Sequence, residues 1–144
     1  MDDADPRRIR SIAVSAEDAV SAYEAGERSA THPVLRINPP FAGRMRARLH
    51  VPGPEEPSGD PAPVHVDPAE LFDPDLLPAY PEPADTEAEI RSDPDLEYST
   101  ELHHGRHVER VEEWREAATE AFAEHVEIET PHGTHEVELK VLGA

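Results

Sequence analysis

Arg44-Met45-Arg46-Ala47-Arg48-Leu49-His50-Val51 is the stretch that decides how this chain folds. Basic and apolar side chains alternate along it, and a period of two marks a strand with one buried face and one wet face. Arg44, Arg46, Arg48 and His50 point one way; Met45, Ala47, Leu49 and Val51 point the other. A strand of this kind belongs to a sheet covered on one side only. Just upstream, Asn38-Pro39-Pro40-Phe41-Ala42-Gly43 reads as a turn, because two prolines cannot continue a ladder. Val34–Ile37 forms a strand before that turn and carries Arg36; Ile9–Val14 forms another. Between them Ser15 caps a helix with Glu17 and Asp18 in its first turn, running to about Ala25 and stopping at Gly26.

Downstream, residues 52–83 hold ten of the sixteen prolines, too many for regular structure. This long loop is expected either to wrap the core or to move. Val64-His65-Val66 interrupts it as an edge strand, and Asp67 caps a short helix that has Pro68 at its first position and reaches Leu71. Thr86–Arg91 reads as a short helix. Thr100 to about His125 reads as the longest one, with Val108, Val111, Ala118 and Phe122 on a single stripe and Trp114 beside it. Val126–Thr130, the turn Pro131-His132-Gly133, and His135–Leu142 form a hairpin with Val137, Leu139 and Val141 inward. The expectation is one α+β domain over residues 1–144 with a frayed start at 1–7. It has one mixed or antiparallel sheet of five to six strands, packed by two main helices.

Charge sets the environment. The 144 residues carry a net charge of −19, and the basic side chains are twelve Arg and one Lys. An acidic surplus with almost no Lys suits a salt-rich cytosol, where carboxylates hold water and cations and screening blunts self-repulsion. No apolar run exceeds three residues, so no membrane span is expected. No basic segment precedes an apolar one as in a signal peptide, so a cytoplasmic location is expected. Zero Cys excludes a disulfide framework, a zinc ribbon and a thiol nucleophile. Residues 28–54 nevertheless hold five Arg and no acid, in a chain with 32 acids. Such asymmetry points to a site for an anion or an acidic partner.

The arginine strand, the Pro-Pro-Phe turn before it and the closing hairpin of Val126–Leu142 together resemble small acidic haloarchaeal proteins grouped as a family of unknown function. The resemblance spans the whole chain. It implies a halophilic, cytoplasmic setting and carries over no catalytic residue, ligand or partner.

Arg36, Arg44, Arg46, Arg48 and His50 are the candidate anion- or partner-binding residues, since guanidinium forks bind carboxylate and phosphate bidentately. The competing account pairs them with Glu136 and Glu138 across strands, or with acids of the Pro-rich loop. Nucleic acid is disfavoured as the anion: four phosphate contacts would lose about five decades of affinity between roughly 0.1 and 3 M salt. His103 and His107, four apart, with His132 or His135 as a third ligand, could approach a metal. The neighbouring apolar stripe and Gly105 argue against it, so neither metal nor cofactor is expected. Arg115, on the apolar stripe, is expected to snorkel or to pair with an acid of the Pro-rich loop. No Gly-rich phosphate loop or nucleophile elbow is present, and no catalytic residue is assigned. Besides nucleic-acid binding as the disfavoured alternative, two functions stay open. One is a non-catalytic interaction module that holds an acidic protein segment or small anion. The other is an enzyme or sensor for a phosphorylated or carboxylate small molecule, with the arginines as clamp and a His as acid/base.

Overall fold

Ala47 divides the arginine strand in two. The computed structural model describes residues 3–53 and 62–143, and in it Ala47 is fully buried between β3 (Arg44–Arg46) and β4 (Arg48–His50). The Ala47 N–H donates to Ala13 C=O at 2.8 Å and so ends the ladder to β1 (Ser11–Ser15). One residue later Arg48 pairs with Arg36 of β2 (Val34–Ile37). A strand whose halves pair with different neighbours cannot lie in one sheet.

The expected single sheet is therefore two. The larger has the order β3-β1-β7-β6, and the smaller β4-β2-β5. In the larger, β3 and β7 (Gly133–Leu142) run parallel to β1, while β6 (His125–Thr130) is antiparallel to β7. The smaller is antiparallel throughout and includes β5 (Val64–Val66). With β5 lying beside β6, both sheets turn their apolar faces to one core. Ile12, Val14, Val137 and Ile128 enter it from the larger sheet, and Leu35, Ile37, Val64 and Val66 from the smaller. The inward alternation stops short at β4: Leu49 is 37% and Val51 50% exposed.

Three helices complete the α+β fold. In α1 (Ala16–Arg28), Ser15 Oγ accepts from the Asp18 N–H at 3.0 Å, as its cap position requires. The helix passes through Gly26 and ends at Ser29, whose N–H and hydroxyl both donate to Ala25 C=O. Gly26 costs helix propensity without stopping the helix, because the buried face of Ala19, Val20 and Ala22 carries it. Helix α2 (Pro83–Ser92) is longer than expected, since Pro83 occupies its first turn. Helix α3 (Thr100–Ala118) is capped by Ser99 and ends before Phe122. Its exit is set by the Pro-rich segment: Asp73 N–H donates to Ala121 C=O, and Ala123 N–H donates to Leu71 C=O. Trp114 is consequently the buried anchor of α3, while Val108 is 45% exposed and Phe122 stacks on Phe72 outside the helix.

The described part of the Pro-rich segment wraps the core. Asp67 Oδ1 accepts from Ala69 N–H and caps the short turn Pro68–Leu71. Residues 54–61 of the expected loop lie outside the described residues. Near the start, Pro6–Arg8 form a single 3-10 turn and Phe41 N–H donates to Asp3 C=O. Among the described residues, no helix is long and apolar enough to cross a membrane.

Candidate functional site

The smaller sheet presents its polar side as rows. Directly opposed residues share a face. Arg48, Arg36 and His65 are opposed across β4, β2 and β5, and His50 faces Val34 in the next row. The far side of the same sheet is the buried row of Leu35, Ile37, Val64 and Val66, which fixes the basic side chains outward. Arg36 is central. Its Nη1 lies 2.9 Å from His50 Nε2, and its Nε donates to Asn38 Oδ1 at 3.0 Å. A guanidinium only donates, so His50 Nε2 is the acceptor of this contact. The rings of His50 and His65 lie 5.7 Å apart. Arg36, His50 and His65 each make further contacts as well.

Arg44 and Arg46 belong to the other sheet. On edge strand β3 they oppose Ser11 and Ala13, and Glu138 and Lys140 oppose the same two residues from β7. Strand β1 thus separates the arginines from the acids expected to pair with them, a gap of about 9–10 Å between strand axes. Lys140 takes Glu138 instead, at 2.7 Å, and this contact lowers the Glu138 carboxyl from its usual pKa. Glu136 faces Glu127 on β6. Among the described residues, Arg44, Arg46 and Arg48 make no side-chain hydrogen bond or ion pair.

The five sequence-derived residues are therefore split by the break at Ala47. Arg36, Arg48 and His50 assemble on the smaller sheet, and Arg44 and Arg46 continue from it along the larger one. His65 was missed. Its signal was present in Val64-His65-Val66, where alternation puts the imidazole opposite two core valines. The N–H groups of Arg10 and Ser11 both donate to Gly43 C=O beside Arg44.

The other candidates have structural employment. His103 Nε2 lies 2.9 Å from Pro83 C=O, and His107 Nδ1 lies 3.0 Å from Thr86 Oγ1, so both clasp α2 to α3. Burial lowers the His107 pKa, and His103, Arg110 and His104 add to the effect. Among the described residues, no group of three or more His, Asp or Glu is placed to hold a metal. Arg115 does not reach an acid of the Pro-rich segment. Its Nε donates to Glu24 Oε1 at 2.7 Å and its Nη1 to Glu112 Oε1 at 2.9 Å, because α3 packs against α1. Glu24 is only 6% exposed and also accepts from the Tyr80 hydroxyl at 2.9 Å. That buried carboxylate, with Arg28 3.5 Å away, ties α1, α3 and the Pro-rich segment together.

A family model described as a domain of unknown function (DUF8009) matches residues 1–143. No curated protein and no solved structure matches the chain. The chain belongs to the family of that domain.

Proposed function

We propose that this member of the family is a non-catalytic interaction module whose arginine face holds an acidic protein segment, or a small anion of the same chemistry. The observation that carries this reading is that Arg44, Arg46 and Arg48 are exposed and make no side-chain hydrogen bond or ion pair among the described residues. A carboxylate brought against these side chains accepts paired, charge-assisted hydrogen bonds from guanidinium forks that have no such partner among the described residues. Arg46 and Arg44 extend the same charge along the chain for a longer acidic ligand. The setting that fits is a salt-rich cytosol, given the net charge of −19 and the single Lys. Screening there disfavours nucleic acid, whose binding rests on phosphate contacts.

The test uses a fluorescein-labelled oligoglutamate peptide in molar potassium chloride, with citrate and an oligonucleotide as competitors. Wild type should bind the peptide, citrate should compete, and the oligonucleotide should not. Arg46→Glu and Arg48→Glu should lose binding with an unchanged melting temperature. Retained binding by both folded variants would sink the reading, and a competing oligonucleotide would replace the acidic segment with nucleic acid.

A further inference from the structure

We propose that the segment leading into β1 forms a second binding site, for a small phosphorylated molecule that also carries hydroxyl groups, such as a sugar phosphate or a nucleotide. The site shares no residue with the arginine face and does not rest on that reading. The carrying observation is a set of opposite charges left apart in one concavity. A cavity of about 600 Å³ lies where this segment meets β3 and β7, and Arg8, Arg10, His135 and Glu136 line it. Sites for small molecules span roughly 300–1,000 Å³. Arg8, Arg10 and Glu136 are exposed, and among the described residues none of the three makes a side-chain hydrogen bond or ion pair. The neighbouring Arg7 shows the alternative, its fork closed on Asp5 with Nη2 2.7 Å from Oδ2. In a chain with 32 acids, two open forks beside an open carboxylate are an unmet pair of needs.

The walls of the cavity are fixed. Arg10 and Ser11 N–H donate to Gly43 C=O at 2.8 and 2.9 Å, and Arg10 C=O accepts from Glu138 N–H at 2.9 Å, so the segment is pinned between β3 and β7. His135 Nε2 lies 2.6 Å from Ile9 C=O; a carbonyl only accepts, so Nε2 donates. Arg10 runs past Gly43, its Cδ 3.9 Å from where a side chain there would start. A backbone held in this way needs no ordering when a ligand arrives. Each guanidinium fork takes two oxygens of a phosphate, and two forks two residues apart hold one such group between them. Glu136 repels the phosphate and accepts from a hydroxyl. The ligand that satisfies both ends is therefore a phosphate joined to a hydroxyl-bearing body. At molar salt the Debye length is about 3 Å, which leaves direct contacts of this kind and removes longer-range attraction.

Calorimetric titration in molar potassium chloride tests this with four probes: ribose 5-phosphate, adenosine diphosphate, inorganic phosphate and ribose. Ribose 5-phosphate or the nucleotide should bind wild type about tenfold more tightly than inorganic phosphate, and ribose should not bind. The tighter of the first two tells whether a sugar phosphate or a nucleotide is the source. Glu136→Gln should bring both down to the affinity of inorganic phosphate and leave the latter unchanged. Arg8→Gln with Arg10→Gln should weaken every phosphate probe at least tenfold with an unchanged melting temperature, whereas Arg48→Glu should weaken none. Equal affinity for ribose 5-phosphate, adenosine diphosphate and inorganic phosphate would overturn the two-ended ligand. No binding by folded wild type, or binding lost in Arg48→Glu and kept in the Arg8 and Arg10 variant, would overturn the site. The comparison of probes uses the wild-type protein, so it does not depend on how any variant folds.

Discussion

The two sheets share one construction and differ in how they spend their outer charges. Each turns apolar side chains into a common core and leaves a polar face outside. On the larger sheet, Glu138 is held by Lys140, and Glu127 faces Glu136. Two opposed acids are unsurprising in a chain with 32 of them. On the smaller sheet, Arg48, Arg36 and His65 share one row with His50 beside them. Opposed arginines are a different matter where only 13 side chains are Lys or Arg. The acidic face follows from composition, whereas the basic face concentrates a scarce residue type. That difference, rather than positive charge as such, is what the proposed ligand site rests on.

The comparison holds only if both faces sit on one cooperative body. Leu35→Ala in the smaller sheet and Ile12→Ala in the larger each empty a fully buried site, and each should cost about 2–5 kcal/mol. Denaturant unfolding followed by circular dichroism and Trp114 fluorescence should show one coincident transition in both variants. If Leu35→Ala melts the smaller sheet alone, the faces belong to separate units and their charges cannot be compared.

What the sequence disclosed follows from which signals are local. The basic face was legible because alternation is a property of neighbouring residues, and Val64-His65-Val66 held the same signal in a shorter form. The break at Ala47 was not legible: it depends on Ala13 and Arg36 competing for two halves of one strand, from 34 and 11 residues away. The helix stripe failed for a similar reason. A period of 3.6 carries Phe122 onto the apolar face only if the helix continues, and Leu71 and Asp73 end it by bonding Ala121 and Ala123. Trp114 then takes the anchoring place, stacked at 5.3 Å on Tyr23 with its indole N–H donated to Pro78 C=O. Glu24 gave no local sign at all. Its partner Arg115 lies 91 residues away, and an isolated Glu on a helix reads as solvated until the packing is known.

Acid should separate the sheets from the helical arm beside them. His107 is clasped to Thr86, and its folded pKa lies below the ordinary 6.5 because burial disfavours its charged form. Below pH 6.5 the unfolded state therefore binds the proton more readily than the folded one. The stabilising contribution is complete above the unfolded pKa and is lost as the pH falls through the folded one. Hydrogen exchange of α2 amides should speed up relative to sheet amides between about pH 7 and pH 5, and His107→Gln should abolish the difference. Equal acid sensitivity in α2 and in the sheets, unchanged by the substitution, would show that His107 is not the acid-sensitive contact.

The smallest effect is the most discriminating, because it sets the two outer faces against each other. Lys140→Glu breaks the exposed pair with Glu138 and adds an acid to an acidic row, so the melting temperature should fall slightly. Arg48→Glu does the reverse on the smaller sheet. It places a carboxylate directly opposite the Arg36 guanidinium and replaces a like-charge pair with an opposite one. Its melting temperature should match or slightly exceed that of wild type, the gain being about 0.5 kcal/mol or less. The measurement is thermal melting of both variants in dilute and in molar potassium chloride, alongside wild type. Salt should shrink both differences, since both side-chain pairs meet at the surface. A loss of stability in Arg48→Glu equal to that in Lys140→Glu would mean that the arginine is paired as the lysine is. The basic row would then be holding the sheet together, and the contrast that singles it out as a ligand site would disappear.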